Sequence, residues 1–374
     1  MHLKKYHIMY INGGKMKKNI LQVMPEFGLA GAETMCETLC YELKKSNRYN
    51  VYVASLFDFH SPITERMEEK GIKIFYIGKG RGIDLKAIFK LYKLMKDLRI
   101  DIVHTHRYVM QYAIPAAIMA RVKTRVHTVH NIAEKEVDSF RQKIAFFFYH
   151  FCHVTPVSIS PLIRDSVIAR YSLKLWQSPI VYNGTDLSKC FVRQNYKAHN
   201  PFRFIHIGRF SLQKNHGVII SAAERLKADR YKFVINLIGG AGNEKERMDE
   251  VTKKGLNDVI NFSGLQSDIF PFLSESDCFI LPSLYEGMPV TLVEAMGCGM
   301  PVIASAVGGV PDMIENEASG ILIEPNVDSL VNAMQRVMVD DGLRKSIGLN
   351  ALTKSNDFSS TNMFNGYTKI YEQL

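Results

Sequence analysis

From residue 19 onward the chain alternates short runs of β-branched and aromatic residues with longer segments of helical period. Strand candidates in the first half are 19–24, 51–55, 72–76, 101–104, 125–129, 154–158 and 179–182. The second half repeats the pattern at 203–207, 233–238, 259–262, 278–281, 301–304 and 320–323. Strands that alternate with helices form right-handed βαβ units and a parallel sheet. The pattern therefore predicts an α/β protein with two doubly wound, Rossmann-like domains.

Turn and linker chemistry predicts where the two domains divide. Asn183-Gly184-Thr185-Asp186 is followed by a polar stretch that ends at Pro201. We therefore expect a first domain over 17–185, a linker over 186–200, a second domain over 201–356, and a helix over 357–374 that packs back across the junction. Residues 1–16 precede the strand pattern, and we expect a disordered or mis-annotated leader with the natural start at Met16.

Charge is divided unevenly between the two halves, although the net charge is +10. Residues 1–200 hold 31 Lys and Arg against 16 Asp and Glu, whereas residues 201–374 hold 16 against 21. A basic half joined to an acidic half predicts that the first half faces an anionic partner. Nucleic acid is a poor candidate because the second half is acidic and offers no aromatic platform. Six scattered cysteines without C-x-x-C spacing indicate reduced thiols and a cytoplasmic protein.

The strongest candidate site is the segment 283–294, which follows the apolar strand 278–281. Pro289 fits the first turn of a helix, and Gly287 lets a ligand approach the backbone. The N–H groups of Met288, Val290 and Thr291 at this helix start form a site suited to phosphate. Glu286 and Glu294 lie about 12 Å apart along a helix axis, a spacing that brackets a nucleotide sugar.

A basic loop follows the strand 203–207. Gly208 turns the chain, and Arg209 and Lys214 follow before the next helix. Arg as a fork and Lys as a point charge neutralise a diphosphate when they converge from one loop. Such a loop beside an anion-binding helix start predicts a diphosphate site.

The first half carries a glycine loop, Gly28 to Gly31, which is not the full G-x-G-x-x-G of a dinucleotide enzyme. Histidines follow two later strands, at His104 and at His130, where Asn131 is the next residue. We expect His130 to contact substrate and take His104 and Asn131 as acceptor-side candidates. The alternative for His104 or His130 is a hydrogen bond to the backbone in the core. No Cys or carboxylate completes a metal-ligand set, and the chain has no D-x-D, so we expect no metal ion and no cofactor.

Two segments, 86–96 and 140–151, are basic and rich in aromatic or aliphatic residues. Either could bind an anionic membrane surface or simply pack its apolar stripe on the sheet. No apolar stretch reaches the roughly 18 residues of a membrane span. The alternatives for location are thus the cytoplasm and a peripheral position on the inner face of the plasma membrane.

Together these motifs resemble glycosyltransferase family 4, and most of all its bacterial enzymes of capsule and exopolysaccharide synthesis. The resemblance rests on G-R-x-x-x-x-K-N at 208–215, E-G-x-P-x-x-x-x-E at 286–294, G-x-x-G at 28–31 and the segment 301–312. It covers residue 17 to about residue 374. It implies a GT-B fold with two Rossmann-like domains facing a central cleft. The first would bind the acceptor and the second a nucleotide sugar, with retention of configuration and no metal.

The resemblance also implies roles for single residues. Arg209 and Lys214 would stabilise the departing diphosphate, Glu294 would hold the ribose, and His130 would lie beside the transferred sugar. The remaining donor-side residues are Glu286, Gly287, Met288 and Val290 for sugar and phosphates, Gly28 and Gly31 against the diphosphate, Leu265 near the base, and the turn glycines Gly208 and Gly239. The usual G-x-G after the second strand of this domain reads Gly239-Gly240-Ala241-Gly242, a departure that affects fine contacts.

The predicted activity is transfer of a hexose or N-acetylhexosamine from a UDP-linked donor to a lipid-linked or oligosaccharide acceptor. No carboxylate is placed for double displacement, which favours front-face attack in which the leaving phosphate takes the acceptor's proton. The competing hypotheses are a GT-B sugar-nucleotide epimerase, a transferase with a soluble acceptor, and a non-catalytic protein that binds nucleotide sugars.

Overall fold

The computed structural model describes residues 17–28, 31–80, 82–240, 242–266 and 268–373. The predicted leader, residues 1–16, lies outside the described residues. The chain forms two compact units. The first holds the described residues up to Val157, Arg170–Ser178 and the residues from Ile370 onward, and the second holds Ser158–Ala169 and Pro179–Lys369.

The first unit is built on a six-stranded sheet of order β3-β2-β1-β4-β5-β6. Its strands are β1 (Lys18–Met24), β2 (Tyr49–Ser55), β3 (Lys73–Tyr76), β4 (Ile102–His106), β5 (Thr124–Val129) and β6 (Val154–Ser158). The helices along this part of the chain are α1 (Gly31–Lys45), α2 (Pro62–Glu69), α3 (Leu85–Asp97), α4 (Met110–Met119), α5 (Ala133–Glu136), α6 (Ser139–Phe151) and α7 (Pro161–Tyr171). The expected α/β alternation is confirmed.

The second unit repeats this plan with a sheet of order β12-β11-β10-β7-β8-β9. Its strands are β7 (Phe202–Ile207), β8 (Phe233–Ile238), β9 (Ile260–Phe262), β10 (Cys278–Leu281), β11 (Val302–Ser305) and β12 (Ile321–Ile323). Its helices are α8 (His216–Ala228), α9 (Glu244–Lys253), α10 (Phe270–Ser274), α11 (Val290–Gly297), α12 (Val310–Met313), α13 (Val327–Val339), α14 (Asp341–Ser355) and α15 (Ser360–Gln373). The last helix contributes its residues from Ile370 onward to the first unit.

The strand order reverses direction once in each sheet. β1 pairs in parallel with both β2 and β4, and β7 pairs in parallel with both β8 and β10. Ligands of doubly wound sheets bind beyond the carboxyl ends of the strands at such a reversal. The loops after β1 and β4, and those after β7 and β10, are therefore the places where each unit is built to bind.

The central strands are buried on both faces. Every residue of β4 and of β10 is buried, as expected for parallel strands covered by helices on each side. In β10 these residues are apolar, whereas β4 buries His104, Thr105 and His106. Polar side chains in a buried strand must find hydrogen-bond partners inside the protein, and those partners shape the first unit's loop edge.

The predicted strand at 179–182 is wrong. Ile180 forms only an isolated bridge with Ser158, through bonds from Ser158 N to the Pro179 carbonyl at 3.0 Å and from Val181 N to the Ser158 carbonyl at 2.9 Å. Pro179 has no N–H to extend a ladder. None of the helices in the described part of the chain is long and apolar enough to cross a bilayer.

Candidate active site

The two motifs of the second unit meet at the reversal of its sheet, around the carboxylate of Glu286. Lys214 Nζ donates to Glu286 Oε1 at 2.6 Å, and Ser283 Oγ donates to the same oxygen at 2.7 Å. The side chains of Lys214 and Glu286 are only 16% and 6% exposed. A buried ion pair with such additional bonds holds its members in one geometry, and its loss is costly. The two predicted residues thus act as one unit.

Backbone bonds join the same two loops. Leu284 N donates to the Gln213 carbonyl at 2.8 Å, and Gln213 Nε2 donates to the Tyr285 carbonyl at 2.9 Å. Asn215, at φ +56°, donates from Nδ2 to the Pro282 carbonyl at 3.1 Å. Asn tolerates this left-handed conformation better than most residues. The loop 208–215 is therefore fixed against the loop 282–286 by contacts that the sequence analysis missed.

Gly308 and Gly309 support this site from behind. A Cβ at Gly308, where φ is +56°, would stand 1.8 Å from the Glu286 carbonyl oxygen, and one at Gly309 would stand 2.2 Å from that of Gly287. Gly309 N donates to the Glu286 carbonyl at 3.2 Å. Only glycine permits such a close approach of two backbones. The adjacent glycines were visible in the sequence, but only as part of the resemblance, without a role.

Gly239 performs a similar task for the basic loop. A Cβ there, at φ +157°, would stand 2.0 Å from the Gly208 carbonyl oxygen. A Cβ at Gly208 would lie 3.1 Å from the aliphatic carbons of Lys214. Of these two predicted donor-side glycines, Gly239 therefore allows the close approach of the basic loop, and Gly208 leaves space for the Lys214 side chain.

The helix start after Glu286 differs slightly from the expectation. Pro289 is the N-cap residue at φ −69° and ψ 115°, one position before the first turn, and α11 begins at Val290. The N–H groups of Val290 and Thr291 lie in the first turn, where the helix offers them no acceptor. A Cβ at Gly287 would meet no atom of the described residues within 4 Å, and neighbouring Met288 is half-buried. The start of α11 therefore presents backbone N–H groups that can bind an anion.

Glu294, one turn into α11, stands apart from this network. Desolvation raises its pKa to about 7, against a smaller lowering by Lys189. No side-chain bond of its carboxylate is found within the described residues. Arg209 is exposed and makes no ion pair with any described carboxylate, and Leu265 is 83% exposed. The structure thus brings Gly208, Lys214, Gly239 and Glu286 together, and leaves Arg209, Glu294 and Leu265 without such contacts.

In the first unit His104 is an interior residue. Its Nδ1 lies 2.7 Å from Tyr371 Oη and its Nε2 lies 2.7 Å from Thr128 Oγ1. The ring is fully buried, and desolvation holds its pKa well below the ordinary value. Both nitrogens are already engaged, so His104 ties β4 to β5 and to the last helix.

His130 lies at the loop edge, half-buried, after β5. Desolvation, with smaller contributions from His127 and Arg107, lowers its pKa to about 3, so the ring is neutral at physiological pH. Its Nε2 lies 3.2 Å from His106 Nδ1, and His106 Nε2 lies 2.9 Å from Gln22 Oε1. No sequence pattern indicated a role for Gln22.

Two carboxylates accompany these histidines. Arg107, at φ +56°, donates to Glu33 Oε1 at 2.6 Å, and Glu33 Oε2 is buried without a partner in the described structure. Desolvation raises the pKa of Glu136 to about 7, against smaller lowering effects that include the backbone N–H groups of His130 and Asn131. Asn131 itself is exposed. This edge is therefore rich in buried polar atoms.

The glycine loop of the first unit leaves room beside its backbone. Cβ atoms at Gly28 and Gly31 would meet nothing within 4 Å in the described structure, and Gly31 opens α1. Within the described ranges, no three His, Cys, Asp or Glu residues are arranged to hold a metal ion.

Comparisons with known proteins agree with this architecture. Residues 29–189 match the family described as Glycosyltransferase Family 4, and residues 190–354 match Glycosyl transferases group 1. The UDP-Gal:alpha-D-GlcNAc-diphosphoundecaprenol alpha-1,3-galactosyltransferase of Escherichia coli is 29% identical over 75% of this chain and 78% of that one. The amylovoran biosynthesis glycosyltransferase AmsK of Erwinia amylovora is 32% identical over 40% of this chain and 42% of that one.

Among solved structures, Anabaena HepE in complex with UDP superposes with a TM-score of 0.78 at 21% identity, over 96% of this chain and 100% of that one. This likeness shows the GT-B fold with its two Rossmann-like domains. The two family matches adjoin and together span residues 29–354, far more than half of the chain. The chain is a glycosyltransferase, and it belongs to glycosyltransferase family 4, alongside bacterial enzymes of exopolysaccharide and capsule synthesis.

Proposed function

We propose that this glycosyltransferase moves a hexose or N-acetylhexosamine from a UDP-linked donor to a lipid-linked saccharide, with retention of configuration and without a metal ion. In this proposal residues 201–356 bind the donor and residues 17–185 the acceptor. The name of the Escherichia coli relative, which contains both UDP-Gal and a diphosphoundecaprenol acceptor, supports the donor and acceptor classes.

The observation that carries the proposal is the junction of the loops after β7 and β10. One buried ion pair, Lys214 to Glu286, fixes a loop that bears Arg209, which pairs with no carboxylate of the described residues. Beside this loop, α11 begins with N–H groups that have no acceptor in the described structure. A guanidinium and the amides of a helix N-terminus are the groups that bind and stabilise a diphosphate. Because the leaving group is a diphosphate, these fixed donors would stabilise the charge that develops on it.

For the chemical step we propose front-face attack. The bond from the anomeric carbon to the donor phosphate oxygen breaks while the acceptor hydroxyl attacks the same face, and the departing phosphate takes the hydroxyl proton. In this step Arg209 and the α11 backbone act on the developing negative charge. Glu286, bonded to Lys214 and Ser283, is held as an acceptor for donor hydroxyl groups.

Nucleotide binding tests the donor site. Thermal shifts would be measured with UDP, GDP and ADP, with and without EDTA, on the wild type, on Arg209→Ala and on Arg225→Ala. Arg225 is a matched control because it pairs with Asp328 on the surface of the same unit. A ligand that binds only the native state raises the melting temperature. We expect stabilisation by UDP that ignores EDTA, persists in Arg225→Ala and is lost in Arg209→Ala; stabilisation that requires a divalent cation would refute the metal-free site.

An exposed aromatic face on α6 supports a membrane-borne acceptor. Phe140, Phe147 and Phe151 are 66%, 52% and 67% exposed, and the Phe147 and Phe151 rings lie 5.3 Å apart. Exposed Lys143 lies between Phe140 and Phe147 along the helix. Exposed aromatic residues with basic neighbours suit the boundary of an anionic lipid layer. We propose that this face rests on the membrane from which the acceptor is presented.

Vesicle flotation tests that surface. The chain would be mixed with vesicles of phosphatidylglycerol and phosphatidylcholine, or of phosphatidylcholine alone. We expect flotation only with the anionic vesicles, loss of flotation in the double variant Phe147→Ser/Phe151→Ser, and no change in Val339→Ser, whose residue is 74% exposed in the other unit. Equal flotation of both variants would refute the assignment of the face.

A further inference from the structure

Three side chains on adjacent strands form a hydrogen-bonded series that the proposed donor chemistry does not use. Gln22 belongs to β1, His106 ends β4, and His130 follows β5. β4 pairs with both neighbours. Gln22 Oε1 lies 2.9 Å from His106 Nε2, and His106 Nδ1 lies 3.2 Å from His130 Nε2. The series therefore runs from a fully buried amide to the half-buried ring at the loop edge.

Each bond in the series determines the direction of the next. An amide oxygen only accepts, so His106 Nε2 must carry a proton. Desolvation keeps the pKa of His106 well below its ordinary value, with smaller contributions from His104, His130 and His127. A neutral imidazole carries one proton, so His106 Nδ1 is an acceptor, and the proton between the two rings belongs to His130 Nε2.

The same reasoning defines the other nitrogen of His130. The ring is neutral, and its one proton is on Nε2, so Nδ1 carries a lone pair. No bond to Nδ1 is found in the described ranges of the chain. The backbone N–H of His130 favours the charged form of the Glu136 carboxyl and lowers its pKa, against the larger effect of desolvation. A neutral, oriented acceptor at a loop edge suits a hydroxyl group that donates to it.

We propose that Gln22 and His106 are positioning residues, which hold His130 in its Nε2–H tautomer so that Nδ1 accepts a hydrogen bond from a hydroxyl group of the sugar substrate. The identity of that substrate rests on the proposed function, whereas the tautomer does not. If the Gln22 amide were turned by 180°, every donor and acceptor would be exchanged, and Nδ1 of His130 would carry the proton. The two arrangements therefore predict opposite tautomers.

Nitrogen-15 spectra of histidine-labelled protein distinguish them directly. Long-range proton–nitrogen correlations would be recorded for the wild type, for Gln22→Met and for Thr105→Val, and the His130 resonances would be assigned with His130→Asn. Thr105→Val is the matched control, because Thr105 Oγ1 lies 2.9 Å from His127 Nδ1 in the same buried region. We expect the Nε2–H tautomer at His130 in the wild type and the control, and a mixture of tautomers in Gln22→Met. An Nδ1–H ring in the wild type, or an unchanged ring in Gln22→Met, would overturn the proposal.

Gln22→Glu adds a test by pH and covers the case in which Gln22→Met does not fold. A carboxylate beside His106 accepts as the amide does, but it favours the charged ring and so raises the pKa of His106. The charged ring donates from both nitrogens, which forces His130 into the Nδ1–H tautomer. We therefore expect transfer by Gln22→Glu to be near the wild-type rate at high pH and about tenfold lower in kcat at low pH, with KM within about twofold. A pH profile identical to that of the wild type would contradict the claim that Gln22 sets the tautomer of His130 through His106.

The two readouts separate the inference from the proposed function. The tautomer is measured on the protein without any substrate. An Nε2–H ring at His130 together with no transfer from any UDP-sugar would support the positioning role of Gln22 and His106 and refute the proposed activity. An Nδ1–H ring at His130 together with normal transfer would refute the positioning role of Gln22 and His106 and leave the proposed activity standing.

Discussion

Substitution of Gly308 by Ala is the sharpest test of the rigid site in the second unit. Gly308 has φ +56°, and a Cβ there would stand 1.8 Å from the Glu286 carbonyl oxygen. Real Cβ atoms essentially never approach another atom within 3.0 Å. The methyl group must therefore move the Glu286 backbone by about 1.2 Å, the difference between these two distances.

That displacement exceeds what the Glu286 network can absorb. Hydrogen bonds to oxygen keep donor–acceptor distances within about 0.5 Å, so the 2.6 Å bond from Lys214 to Glu286 cannot survive unchanged. A misplacement of about 1 Å in a catalytic site costs on the order of 10²-fold in rate. We expect kcat/KM to fall about 10²-fold in Gly308→Ala, with an added loss of about 1–2 kcal/mol in stability from the left-handed backbone.

Gly255→Ala separates the two effects. Gly255 has φ +65°, but a Cβ there would meet no atom of the described chain within 4 Å. The control therefore carries the conformational strain without the collision. Transfer from a UDP-sugar and stabilisation by UDP would be measured for both variants beside urea unfolding. Transfer by Gly308→Ala within threefold of Gly255→Ala would refute the claim that the backbone contact sets the geometry of Glu286.

Three further substitutions test single features of the same unit. Glu294→Gln removes a carboxyl whose pKa is raised by desolvation from 4.5 to about 7. Between these two pH values the native wild type keeps a proton that the unfolded chain releases, so the stability of the wild type falls as the pH rises. The melting temperature of the variant should therefore increase relative to that of the wild type between pH 5 and pH 8. Lys214→Met leaves Glu286 buried without its cation and should cost about 3 kcal/mol in urea unfolding. Gly287→Ala places a methyl group in open space, so the melting temperature should not change while UDP stabilises the protein less.

Each of these has a contrary outcome. A difference in melting temperature between Glu294→Gln and the wild type that is constant with pH would show that the carboxyl is not desolvated. Glu286 also accepts from Ser283 Oγ and, at 3.4 Å, from Gln213 Nε2. A loss of less than about 1 kcal/mol in Lys214→Met would show that these two donors suffice for the carboxylate. Unchanged binding of UDP by Gly287→Ala would mean that no ligand approaches that backbone.

The fold could be predicted from the sequence because its pattern is local. Buried parallel strands such as 278–281 are short apolar runs, and the helices between them have clear periodicity, so the alternation alone defines two doubly wound sheets. The segment 179–182 has the composition of a strand, but Pro179 limits it to one bridge. Composition does not reveal whether a neighbouring strand edge is available.

The chemistry of the site was partly predictable for a different reason. Lys214 and Glu286 carry charge on loops that follow strands, so their types and places in the sequence indicated a site. Gly308, Asn215 and Gln22 act through a close backbone approach or one buried bond to a distant residue. Such contacts depend on which loops the sheet order brings together, and they leave no local pattern. His104 shows the converse, because its place in the sequence allowed either an acceptor-side position or a hydrogen-bonded position in the core, and it is bonded on both nitrogens in the interior.

The distribution of charge gives the exposed arginine its importance. Residues 201–374, which form most of the second unit, hold 16 basic against 21 acidic residues, so the net charge of this part of the chain does not favour binding of a diphosphate. Lys214 is the second cation of the loop, but its charge is balanced by Glu286 at 2.6 Å. The charge left to face an anion is that of Arg209, reinforced by the partial charge at the start of α11. Because the net charge of these residues does not attract anions, binding of a nucleotide diphosphate must rest on these few fixed groups, and for that reason Arg209→Ala should abolish a stabilisation that Arg225→Ala leaves intact.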